Sequence, residues 1–175
     1  MKVQAMPLLL AITASLVVNT AHAATTGTLQ FRGQVNAGTC NLASGDVNRT
    51  VTLPTIKISD FGALPYTGAL NFEISADCES DIRNVTFLFA GTASAGNPAL
   101  FANTGSSGGT ALWLKHRATP LYTIPANGTA AQRSRTIATS ASKAVLPLTV
   151  EYHKTGAAVT QGTLVSAVTV SITYN

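Results

Sequence analysis

Apolar and polar residues alternate at both ends of this 175-residue chain, with the two-residue period of β-strands that bury one face. Near the C-terminus, one parity is mostly apolar and the other small or polar. The apolar parity comprises Leu164, Ser166, Val168, Val170, Ile172 and Tyr174. Near the N-terminus, a second such face comprises Leu29, Phe31, Gly33 and Val35. The pattern predicts one strand over 164–174 and another over 28–36.

The interior of the chain repeats this pattern in shorter segments. Further strands are predicted at 50–53, 69–76, 85–90, 111–114, 121–124 and 146–153. Gly, Asn, Ser and Pro cluster between these segments, as they do in turns. Beyond one helical turn predicted around 60–64, no window has a helical period. Many short strands separated by turns are typical of an all-β sandwich in one domain.

The predicted last strand poses a problem of exposure. A sheet that ends on a strand with an apolar face needs a cover, because an unpaired strand edge promotes aggregation. The predicted strand at the other end of the chain is a candidate cover. It would serve either its own domain, as an ordinary edge strand, or a neighbouring molecule.

The first residues have the pattern of an export signal. Lys2 supplies a short basic region, 8–18 form an apolar run, and Ala21-His22-Ala23 fits the small-x-small cleavage rule. The run is shorter than the roughly 20 residues that a membrane span requires. We therefore expect residues 1–23 to be a signal peptide and the mature chain to begin at Ala24.

The two cysteines, Cys40 and Cys78, fit this expectation. An even pair in an exported protein predicts one disulfide, here between neighbouring strands. A metal site is not predicted, because neither His116 nor His153 lies at ligand spacing from a cysteine. No cofactor is implied.

Charge and motifs argue against nucleic-acid binding and catalysis. The formal charge is +4 and charged residues make up 10% of the chain. The basic clusters 115–117 and 133–135 lack interleaved aromatic residues and are expected to be solvated. No Ser/His/Asp set has a motif context, and the Gly-rich segments lack the lysine of a phosphate-binding loop. The acidic residues around Cys78 lack the spacing of a calcium loop. The chain is not expected to be an enzyme.

Together these features resemble one family. An ordinary immunoglobulin domain is not indicated, because Trp113 follows both cysteines instead of lying between them. The chain resembles the chaperone–usher pilins, the structural subunits of type 1-like fimbriae. The resemblance rests on TLQFR (28–32), GQVNAGTC (33–40), Cys78 at the end of a strand, and QGTLVSAVTVSITYN (161–175). In the last segment Gly162 is fourteenth from the C-terminus and Tyr174 is penultimate.

The resemblance implies an incomplete immunoglobulin-like sandwich that lacks its seventh strand. In that family a periplasmic chaperone first fills the resulting groove. At the outer-membrane usher, the N-terminal extension of the next subunit replaces the chaperone, and an extracellular fimbria for cell adhesion grows by this donor-strand exchange. Here the implied parts are a donor extension over 24–36 and a pilin domain over 37–175.

The resemblance also implies a role for each end. Leu29, Phe31, Gly33 and Val35 would form the donor face. The acceptor edge, which also binds the chaperone, would comprise Gly162, Leu164, Val168, Val170, Ile172 and Tyr174. Asn175 would offer its terminal carboxylate to basic residues of the chaperone.

The alternative function is a tip adhesin or carbohydrate-binding module. Family adhesins carry a lectin domain ahead of the pilin domain and lack a donor extension, which makes this alternative the weaker one. Shaft and minor adaptor subunits share all the motifs above, and the sequence leaves the choice between them open.

Overall fold

The computed structural model describes residues 28–175. The expected signal peptide and the first residues of the expected donor extension lie outside the described residues. The chain divides into two compact units, residues 1–35 and 36–175. Within the first unit, residues 28–35 form no helix or strand. The strand predicted over 28–36 is therefore absent from the single chain.

The second unit is built from two antiparallel β-sheets. The strands are β1 (Cys40–Leu42), β2 (Tyr66–Cys78), β3 (Asn84–Gly91), β4 (Thr110–His116), β5 (Tyr122–Thr123), β6 (Ser134–Ala138), β7 (Lys143–Lys154) and β8 (Val168–Tyr174). One sheet has the order β1-β2-β7-β4-β5 and the other has the order β6-β3-β8. A 3-10 helix covers Ile58–Phe61 and a single α-helical turn, α1, covers Ala130–Arg133. The predicted all-β class is confirmed.

The core lies between the two sheets. Val85, Phe87 and Phe89 of β3 are buried, as are Leu146 and Leu148 of β7, and the intervening residues are less buried or exposed. Complete burial of such side chains contributes about 1.5–3 kcal/mol each. The alternation seen in the sequence therefore corresponds to one inward and one outward face in these strands.

Several element boundaries differ from the prediction. Residues 50–53 form no strand: Val51 and Leu53 pack against the core but pair with no sheet. β1, β6 and α1 were not predicted, because all three are short and β6 has little apolar alternation. In α1, Thr129 caps the helix by accepting from the Gln132 amide at 3.3 Å. The helical turn expected around 60–64 occurs slightly earlier, as the 3-10 helix.

The predicted disulfide joins Cys40 of β1 to Cys78 of β2. The two residues are direct partners in the ladder between these strands, and their Cα atoms are 4.1 Å apart. The bond therefore fixes the short edge strand β1 to the long strand β2.

The basic clusters are solvated only in part: Arg117 is exposed as expected, but Lys115 and Arg133 are held within the domain. Lys115 is only 6% exposed, its Nζ lies 2.7 Å from Glu151 Oε1, and the Trp113 ring centroid lies 4.1 Å away. Arg133 donates to the backbone oxygen of Phe89 at 2.7 Å. These cations are held by partners distant in sequence, which the local pattern of charge does not reveal.

Candidate functional site

The strand β8 is paired along one edge only. It runs antiparallel to β3 from Val168, opposite Gly91, to Tyr174, opposite Val85. Among residues 36–175, no strand pairs along its other edge. An edge of this kind presents a row of backbone donors and acceptors to which another strand can bind.

The inward face of β8 is apolar but incompletely covered. Val168, Val170 and Ile172 pack against the core cluster and are only half-buried. By contrast, Phe89 and Phe87, the β3 partners of Val170 and Ile172, are buried. The strand β1, at the edge of the other sheet, lies close to β8, and Leu42 of β1 is also only partly buried against the core. This side of the sandwich therefore has an apolar opening between two edge strands.

The end of the chain is tied to the beginning of β3. The backbone oxygen of Asn175 accepts from the amides of Arg83 at 2.8 Å and Asn84 at 3.1 Å. The amide of Asn175 donates to the Asn84 oxygen at 3.2 Å. Tyr174 is 41% exposed. Both terminal residues thus lie at the surface, at one end of the open edge.

Two of the expected acceptor residues lie outside β8. Gly162 precedes the strand, and a Cβ there would collide with the backbone of Ser106 and Ser107. Close packing within the domain is therefore sufficient reason for glycine at this position. Leu164 also precedes β8 and packs partly against the core. The predicted strand begins at Val168 instead of Leu164, because the preceding residues bond to the loop 103–110.

The centre of that contact is Asn103, which sequence reasoning did not single out. Its Oδ1 accepts from the amides of Gly105 and Val165, both at 2.8 Å. Its Nδ2 donates to the oxygens of Ser107 at 2.8 Å and Thr163 at 3.3 Å. The side chain thus joins the 103–110 loop to the segment that leads into β8. A lone Asn in a Gly/Ser-rich loop gives no sequence signal for partners about 60 positions away.

The large apolar side chains of the expected donor face are exposed within their own unit. Leu29, Phe31 and Val35 are 82%, 90% and 99% exposed. A Cβ on Gly33 would meet no atom within 4 Å. Three large apolar side chains exposed within so short a segment are unusual for a soluble surface and mark a site of interaction.

Among residues 28–175, no group of three or more His, Cys, Asp and Glu side chains is arranged to hold a metal ion. No helix in this part of the chain has the length and apolar character needed to span a membrane.

Sequence comparison identifies one family. The sequence model of the family described as fimbrial protein matches residues 29–175. No curated protein sequence matches this chain significantly.

Solved structures share the fold. A chain from a chaperone–usher pilus, in a study of the molecular basis of rod uncoiling, is 19% identical with a TM-score of 0.63, and the match covers 86% of this chain and 96% of that one. The P pilus rod subunit PapA is 17% identical with a TM-score of 0.62, over 78% of this chain and 99% of that one. The CupB6 tip adhesin from Pseudomonas aeruginosa is 19% identical with a TM-score of 0.54, and the match covers 70% of this chain and 34% of that one. The two-sheet fold is therefore that of chaperone–usher pilus subunits.

Proposed function

Since this chain belongs to the fimbrial protein family, whose non-enzymatic subunits polymerise with other pilins into extracellular pili, we propose that it assembles by donor-strand complementation for cell adhesion. The observation that carries the proposal is the open edge of β8, with its half-buried apolar face. The segment 24–36 of one subunit would complete this edge in the next. The pilin domain would then be residues 37–175.

The donor segment has the chemistry that the open edge requires. Leu29, Phe31 and Val35 share one parity, so in an extended strand all three side chains enter the opening together. At about 1.5–3 kcal/mol each, their burial contributes roughly 5–9 kcal/mol, with backbone hydrogen bonds to β8 in addition. Gly33 has the same parity, and its lack of a side chain allows the two backbones to approach closely.

The resulting contact is heterologous, because the donor segment and the acceptor edge are different surfaces. Repetition of such a contact produces an open filament instead of a closed ring. The same interface serves a subunit in the shaft and an adaptor near the tip, so the proposal applies to both positions.

The open edge also implies a cover before assembly, since an unpaired apolar strand edge aggregates. In the proposed route, residues 1–23 direct export and a periplasmic chaperone covers β8. Basic residues of the chaperone bind the carboxylate of Asn175, and Tyr174 lies within the bound edge. At the outer-membrane usher, residues 24–36 of the next subunit replace the chaperone.

A peptide experiment tests the proposal. A synthetic peptide of residues 24–36 should bind residues 37–175 and raise their Tm, because it supplies the missing partner of β8. A peptide with Phe31→Asp should not, since it would bury a charge, whereas one with Gln30→Asp should retain binding because residue 30 has the outward parity. Equal stabilisation by the Phe31→Asp and native peptides would contradict the proposal.

A further inference from the structure

The sandwich has a cavity on the side opposite β8. Its volume is about 580 Å³, and it is lined by His116, Tyr122, Thr123, Pro125, Gln132 and Arg135. The strands β5 and β6, which border it, are the edges of their sheets farthest from β1 and β8. Arg135 Nη2 donates to the Thr123 oxygen at 2.8 Å and so connects the two sheets at this edge. The cavity therefore shares no residue with the proposed polymerisation site.

The cavity contains a cation without a counter-ion. Among residues 28–175, no carboxylate lies within ion-pair distance of Arg135. Its guanidinium donates only to backbone oxygens, including that of Gln132 at 2.9 Å. Burial lowers the pKa of Arg135, as expected of a charge that has lost solvent without gaining an opposite charge. An anion in the cavity would supply that charge.

An aromatic surface lies beside this cation. Tyr122 of β5 is the direct strand partner of His116 in β4. Its ring stacks on the His116 imidazole, with 6.4 Å between the ring centroids. The Arg135 guanidinium carbon lies 5.7 Å from the Tyr122 ring centroid. Tyr122 is 49% exposed. Part of the aromatic surface therefore remains open to a ligand.

The remaining polar side chains of the cavity favour a ligand that carries hydrogen-bond acceptors. Gln132 Oε1 already accepts from the Thr129 amide at 2.9 Å, and within the described residues its side-chain NH₂ group has no acceptor. Burial foremost, and then the charge of Arg135, lower the pKa of His116. Both effects favour the neutral imidazole, in which one ring nitrogen is a donor. With Arg135 and the Tyr122 hydroxyl, the lining offers several donors and no acidic side chain.

We infer that this cavity binds a small cyclic carboxylate, of which an acidic monosaccharide is the chemical type. The carboxylate accepts from the Arg135 Nη2 hydrogen that is not already donated to a backbone oxygen, and its charge balances that of the guanidinium. The ring of the ligand packs on Tyr122 and Pro125. A neutral sugar would leave the charge of Arg135 uncompensated and is therefore discriminated against.

Equilibrium dialysis of the full mature chain, in the assembly state in which it is isolated, tests this inference. The probe is labelled D-glucuronate, and D-glucose is the neutral comparison. Glucuronate should bind saturably with one site per chain and weaken with added salt, because the contact is charge-assisted. Glucose should bind at least about tenfold more weakly.

Substitutions at the cavity test whether glucuronate binds there and not elsewhere on the chain. Arg135→Gln should weaken glucuronate binding about tenfold or more. Arg117→Gln is the matched control, since Arg117 pairs with Glu73 outside the cavity, and it should bind as the native chain does. Tyr122→Leu removes the aromatic surface while the backbone acceptor of Arg135 remains, so it should also weaken binding if Arg135→Gln fails to fold. Absence of saturable binding, equal binding of glucose, or native affinity in Tyr122→Leu would overturn the inference.

Discussion

Phe87 of β3 and Ile172 of β8 are direct partners in the three-stranded sheet, yet Phe87 is fully buried and Ile172 is only half-buried. Two apolar residues that lie opposite each other on one face would be buried to a similar extent if a further strand continued the sheet beyond β8. The difference shows that the core ends at β8, where no further strand of residues 36–175 pairs. A neighbouring strand is the simplest group that would satisfy both the backbone edge and the half-buried side chains.

Replacement of Phe31 by Asp should abolish fibre assembly in cells. In the proposed donor strand Phe31 enters the apolar opening, where a carboxylate would be buried without a partner. The chaperone complex should persist, because in the proposed route the chaperone covers β8 and not the donor segment. Electron microscopy of the cell surface and co-purification with the chaperone measure the two effects. Gln30→Asp, of the other parity, is the control and should assemble; loss of the chaperone complex in Phe31→Asp would contradict the division of roles.

Replacement of Tyr174 by Ser should have the opposite effect on the chaperone step. Tyr174 lies at the end of the open edge and is partly exposed, so its loss removes apolar contact area from any strand that pairs there. The subunit should then lose its chaperone complex and be degraded in the periplasm. Immunoblots of periplasmic extracts measure this, with Thr173→Ser on the outward face as control. Native chaperone binding by Tyr174→Ser would exclude this role for Tyr174.

Replacement of Asn103 by Ala should reduce the free energy of unfolding by about 1–3 kcal/mol, because several backbone groups lose their partner. The loss should concentrate where 163–165 meet the loop 103–110, and the segment leading into β8 should exchange its amide hydrogens faster. Urea unfolding and hydrogen exchange measure the two effects. Asn97→Ala, which removes one 3.3 Å bond to Ala99, is the control. An equal loss of unfolding free energy in the two variants would show that Asn103 does not hold this segment.

Replacement of Lys115 by Met should be costlier than removal of both members of its ion pair. The single change leaves Glu151 buried and unpaired, at a cost of about 3–5 kcal/mol. Glu151 Oε2 already lacks a hydrogen-bond partner within residues 28–175. Lys115→Met combined with Glu151→Leu should recover much of the lost stability in urea unfolding. A double variant at least as unstable as the single one would contradict this account of the pair.

The sequence predicted those features that depend on local alternation. Val168, Val170 and Ile172 share a face because the period of a strand is two, and the β3 and β7 faces follow from the same rule. It did not predict features that depend on distant partners. The first residues of the expected last strand are held by Asn103, and Lys115 is buried by Glu151, 36 positions away. Likewise, the cavity of Arg135 arises only where β5 and β6 meet.

The missing strand is tested most directly by thermal unfolding of two variant chains. In the first, residues 37–175 are followed by a flexible linker and then residues 24–36, so that the proposed donor can reach β8 of its own molecule. In the second, the same thirteen residues follow in shuffled order. The account predicts a soluble monomer with a much higher Tm only for the native order. Equal Tm values for the two chains would show that the domain is already complete, and would contradict donor-strand complementation.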